Sequence, residues 1–147
     1  MSKSYDVAVS LKALFAAAVG ANGPEVIGLD GADSVPERVS PNGRIIVDQG
    51  SPGKPEVDLS PPTYNYTHQL PVTVEAYASA TMTAAQRVDA IIDILAAAIE
   101  NDRTMGGAVD YFDATAAESF DEQDDAAPTL RVATFSVTAT YTTTKPL

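Results

Sequence analysis

YNYTHQLPVTVEAYA, residues 64–78, and TAAQRVDAIIDILAAAIE, residues 83–100, decide the fold between them. In the first stretch Tyr64, Tyr66, His68, Leu70, Val72 and Val74 share one face, while Asn65, Thr67, Gln69, Thr73 and Glu75 take the other. That period of two predicts a long, half-buried strand. Pro71 brings no N–H to a ladder, so a free edge or a bulge is expected beside it. In the second stretch the apolar period lengthens to that of a helix. Val88, Ile91, Ile92, Leu95 and Ile99 form one stripe, opposed by Arg87, Asp89, Asp93 and Glu100. Thr83 and Gln86 have the spacing of a capping box, which marks the helix start.

Working outward, Val7, Leu11, Leu14, Phe15 and Ala18 recur at helical spacing from about Ser4 to Val19. Gly20, Asn22, Gly23 and Pro24 then resist further helix. Residues 20–42 read mostly as loop. A short strand is expected over 43–49, where Ile45, Ile46 and Val47 are β-branched. Residues 50–63 hold Pro52, Pro55, Pro61 and Pro62 with two glycines and no periodicity. A connection of that length inside one domain tends to be functional, and it is expected to be a long projecting loop or arm. Downstream of the second helix, Asn101 to Gly107 ends it, and strands are expected at 108–113 and 129–143, with an acidic loop over 118–125. The order helix, strand, strand, helix, strand, strand predicts an α+β fold. The expected form is a single domain over 1–147: a mainly antiparallel four-stranded sheet, two helices on one face and a long projecting loop.

Composition narrows the chemistry. The 147 residues suit one domain with one core. With no cysteine and one histidine, disulfides, thiolate nucleophiles and sulfur-ligated metals are excluded and most transition-metal sites lose their ligands. Twenty acidic against nine basic residues leave a formal net charge of −11, which repels nucleic acid phosphates. No apolar run approaches the ~20 residues that span a bilayer, and the start of the chain reads as an amphipathic helix rather than a signal peptide. A protein folded in a cytoplasm is expected.

His68 is the one candidate general base near neutral pH, and its place among apolar neighbours predicts a structural histidine in a sheet. The alternative from another class is a small hydrolase using His68 and a nearby carboxylate. The run Asp121, Glu122, Asp124, Asp125 lacks the spacing of a calcium loop, since Gln123 and Ala126 stand where oxygen ligands and glycine are needed. The glycines at 20, 23, 28 and 31 follow a helix, not a strand, and make no dinucleotide fingerprint. No catalytic residue, metal ligand or cofactor is expected.

Several blocks carry a resemblance: Glu37-Arg38; Gly43; Gly50-x-Pro52-Gly53-x-Pro55-Glu56-Val57-x-Leu59-Ser60-Pro61; Tyr64-x-Tyr66-x-His68; Asp102-Arg103-Thr104-Met105-Gly106-Gly107; Tyr141; and Pro146-Leu147. Over residues 35–147 the chain resembles the tail terminator, or tail completion, proteins of long-tailed bacteriophages and prophages. The resemblance implies a non-enzymatic virion protein that closes into a ring, usually sixfold, on the tail tube. Such a ring ends tube growth and joins the tail to the head connector. Implied partners are further copies of the chain, the tube protein and the connector or stopper protein. DNA would pass without specific binding, and no membrane is involved. Another head–tail joining protein of the neck is the alternative. The Gly50–Thr63 arm is the expected subunit contact, through Pro52, Pro55, Val57 and Leu59. Arg38, Arg44, Arg87, Arg103 and Arg131 are expected to meet carboxylates on the flat faces or between subunits, Arg38 and Arg103 within the subunit interface.

Overall fold

A computed structural model of the chain describes residues 2–29, 39, 41–122 and 128–145. The elements run α1 (Lys3–Val19), β1 (Glu25–Ile27), β2 (Arg44–Val47), β3 (Glu56–Leu59), β4 (Pro62–Ala76), α2 (Ala84–Asn101), β5 (Tyr111–Ala114), β6 (Glu118–Glu122) and β7 (Leu130–Thr143). The class is α+β, as expected.

The centre is the antiparallel pair of β4 and β7, in register from Tyr64↔Thr143 to Ala76↔Arg131. Strand alternation puts Tyr66, His68, Leu70, Val72 and Val74 of β4 on the same face as Ala133, Phe135, Val137, Ala139 and Tyr141 of β7. Both helices cover that face. Val7, Leu11 and Phe15 of α1 and Val88, Ile91, Leu95 and Ile99 of α2 join those strand residues in one buried cluster. Each helix starts on a side-chain cap. Ser2 Oγ accepts from Tyr5 N, and Thr83 Oγ1 accepts from Gln86 N at 3.1 Å while Gln86 Oε1 accepts from Thr83 N at 2.9 Å.

The sheet corrects the expected four strands. It has seven and is mixed, because β1 adds parallel to β2 within the stretch read as loop. The remaining named pairs are antiparallel. The other two extra strands, β3 and β6, have a common origin in bulges. Along one side of β4, β2 pairs through Val47↔Val72, Ser51 bridges Gln69, and β3 pairs from Glu56↔Asn65. The register slips by one residue between Val47 and Ser51 and by one more before Glu56. One edge run is thus broken twice by single-residue bulges. The first slip straddles Pro71, which cannot donate to that edge. Along β7 the register slips likewise between Ala114↔Val137 and Glu118↔Thr134, dividing β5 from β6.

Two further expectations change. Residues 50–63 are not a loop throughout, since Ser51, β3 and the start of β4 are paired. The acidic stretch is not a loop over 118–122, where it forms β6. Its continuation, 123–125, lies outside the described residues.

The helix-free face carries Thr67, Gln69 and Thr73 of β4 beside Thr134, Ser136, Thr138 and Thr140 of β7. At one end Val39, Leu130 and Val132 pack with Tyr77. Nearby Arg44 and Glu75 form a buried side-on pair, Nε to Oε1 at 3.3 Å and Nη2 to Oε2 at 3.2 Å. Two parallel charge-assisted bonds compensate the desolvation of both groups.

Candidate functional site

The arm begins at a tightly specified root. Asp48 Oδ1 accepts from Gly50 N at 2.8 Å, and Ser51 and Gln69 exchange backbone bonds at 3.1 Å in both directions. Gly50 has φ of 63°, and a Cβ there would lie 1.9 Å from the Gln69 carbonyl oxygen. Only glycine allows this approach with that backbone. His68 sits directly behind the root. Its Nε2 donates to the Gln49 carbonyl at 2.6 Å, and its Nδ1 accepts from the Tyr141 hydroxyl at 3.0 Å.

From the root the chain runs through Pro52 and Pro55, both half-buried, into β3. A short turn at Ser60–Pro61, whose peptide is cis, leads into β4. Polar bonds stitch one side of this hairpin. Asn65 Nδ2 donates to the Glu56 carbonyl at 3.3 Å and to Asp58 Oδ2 at 3.1 Å, and Thr142 Oγ1 donates to Asn65 Oδ1 at 2.6 Å. The register Val57↔Tyr64 and Leu59↔Pro62 puts the two apolar side chains on the other side, the face that the helices cover elsewhere. Here the helical layer has ended. Val57 is 45% exposed and Leu59 79%, the most exposed of the large hydrophobic side chains described.

Of the expected interface residues, Pro52, Pro55, Val57 and Leu59 therefore share one hairpin. Arg38 lies outside the described residues. Arg103 stands on the opposite flank of the sheet and pairs within its own chain: Nη1 lies 2.7 Å from Asp113 Oδ1, with the guanidinium 5.7 Å from the Tyr111 ring centre. Arg44 and Arg131 also pair within the chain, with Glu75 and Asp121. Arg87 donates to the Tyr77 carbonyl.

The Asp102–Gly107 block is a turn built around one carboxylate. Asp102 Oδ1 accepts from the amide and hydroxyl of Thr104, and Oδ2 accepts from Gly106 N at 2.8 Å. These bonds, the Thr104 amide first, hold the Asp102 carboxyl below the usual aspartate range. Met105, Gly106 and Gly107 all have positive φ. Met105 turns into the core at 7% exposure, and the chain reverses toward β5. The Asp113 carboxyl is likewise lowered, by the Ala114 amide first and then by Arg103.

His68 is placed as a structural histidine. It has no exposed surface, both ring nitrogens are engaged, and burial pushes its pKa below 6.5 against the opposing pull of the Gln49 carbonyl. Burial also raises Tyr141, to about 12, so both partners are neutral over the physiological range. Among the described residues no group of three or more His, Asp and Glu side chains is placed to hold a metal ion, and no helix is long and apolar enough to cross a membrane.

One feature escaped the sequence reading. A groove of about 270 Å³ lies between α2 and the β5–β6 connection, walled by Ile92, Leu95, Ala96, Ile99 and Phe135, with Arg103 at its rim. Its sequence signal is small residues on both walls, Ala96 on the helix, Ala114 at the end of β5 and Ala116 and Ala117 on the connection, which leave the space unfilled. Comparison with family models and with curated proteins finds no match to this chain.

Proposed function

We propose that the chain is a structural assembly protein that acts by contacts alone, as a ring-forming subunit of the tail-terminator type. The observation that carries this reading is the hairpin arm. Its root is held by five hydrogen bonds, one within Asp48–Gly50, one from Asp48 N to the Pro71 carbonyl, one from His68 to Gln49 and two between Ser51 and Gln69, yet its tip presents Val57 and Leu59 to solvent. A domain with a fully packed core gains nothing from an ordered apolar tip unless something covers it. The resemblance supplies the occasion for such a contact, a closed ring on the end of a tail tube that joins it to the head connector. A neighbouring neck protein would use the same arm in the same way. The gene beside this one distinguishes them, since a tail tube gene immediately downstream favours a terminator.

The direct test is sedimentation of the purified chain across concentration and salt, with electron microscopy of the largest species. The expected result is a ring with mass near six times the 15.3 kDa chain. A chain that stays monomeric under every condition overturns the reading.

A further inference from the structure

We infer that the hairpin tip of one copy seats Leu59 and Val57 in the α2–β5 groove of a second copy. The inference rests on the ring reading above and names the contact that would build it.

Placement comes first. The tip lies on the β4 side of the central pair, and the groove lies on the β7 side, walled by Phe135 and the residues after β5. A chain cannot fill its own groove with its own tip across β4 and β7. A tip-to-groove contact between copies is therefore head-to-tail, and each added copy leaves one free tip and one free groove. Contacts of that kind close into rings when the rotation per copy closes, and otherwise extend as filaments. Chemistry agrees with placement. The walls are aliphatic and aromatic, and 270 Å³ accommodates two aliphatic side chains.

Charge sets the salt dependence. Glu56 and Asp58 flank Val57 in a chain with twenty acidic and nine basic residues, so copies repel one another at low salt. Arg103 stands at the groove rim. Asp113 takes one nitrogen of Arg103, and a guanidinium has five N–H donors to offer. Glu100 and Asp113 share the rim, so Arg103 offsets the local negative charge without reversing it. Apolar burial must then drive the contact, and association should strengthen as salt screens the net charge of −11 on each copy.

The chain has no cysteine, so cross-linking reports one pair of positions without interference. Leu59→Cys and Ala96→Cys variants of the full chain are purified separately, checked by circular dichroism, mixed at high salt and treated with a short bis-maleimide. A covalent dimer joining the two variants is expected. In parallel, Leu59→Asp should weaken self-association about tenfold or more, the worth of one buried aliphatic side chain. If oligomers sediment but residues 59 and 96 never cross-link, the groove is not the seat of the tip, and the ring reading stands without it. If no oligomer forms at all, both fall together.

Discussion

At the residue scale, His68 has its chemistry decided by two atoms. The Gln49 carbonyl requires a proton on Nε2, and in the neutral ring that burial favours, Nδ1 then accepts from the Tyr141 hydroxyl. The ring is therefore held as one neutral tautomer. Glutamine can reproduce both bonds, with its amide N–H toward Gln49 and its oxygen toward Tyr141. His68→Gln should lose little stability, while His68→Ala should lose ~2 to 5 kcal/mol in denaturant unfolding, from a cavity and two unpaired polar groups. The sign of the pH effect follows from the lowered pKa. Well above 6.5 the histidine is neutral in both states and contributes nothing. As pH falls below 6.5 the unfolded chain binds a proton that the folded chain resists, and stability declines. The wild-type melting temperature should drop over that range more steeply than that of His68→Gln. Equal slopes would mean that the ring is protonated without strain in the folded protein. His68 on the apolar face was legible from strand alternation. Its two partners were not, because Gln49 and Tyr141 reach it only through β-sheet pairing.

At the element scale, α2 was readable from both its stripe and its start. The capping box forms as the spacing of Thr83 and Gln86 requires. Thr83→Ala should cost about 1 kcal/mol in chemical unfolding, with the midpoint moving and the slope unchanged. A loss near zero would mean that tertiary packing alone sets the helix start. The edge strands were less legible. Residues 50–63 have no period of two because the bulges interrupt it and prolines stand where strand donors would. Pairing with β4 nevertheless orders Ser51 and β3, since β4 offers backbone groups along its whole length. In the same way Glu118 to Glu122 read as an acidic loop from composition. They form an edge strand in which every residue is exposed, so carboxylates cost nothing there and discourage pairing with stray strands.

At the scale of the whole molecule, net charge bears on the proposed ring. Six copies of a chain with net charge −11 would carry −66 in total. A ring that conducts DNA works best when it does not grip its cargo. Among the described cations Arg44, Arg103 and Arg131 pair with carboxylates of their own chain, and Lys3, Lys12 and Arg87 donate to its backbone carbonyls. Duplex DNA should show no gel shift with the assembled protein at about 50 mM salt, where phosphate contacts are strongest. Tight binding there would contradict a passive conduit.

Periodicity and caps, read from the sequence alone, determined both helices, both long strands and the buried face of the helices and of the first long strand. Those signals are local, since a side chain's direction depends on its neighbours one to four positions away. Tertiary structure decided the rest. It turned 50–63 into a bulged edge strand with an uncovered apolar tip, added the parallel β1, and opened the groove beside α2. Each depends on what lies across the sheet or beyond the end of a helix. Val57 and Leu59 illustrate the division. The sequence says that they need burial, and only the register beside β4 says that the helical layer stops short of them.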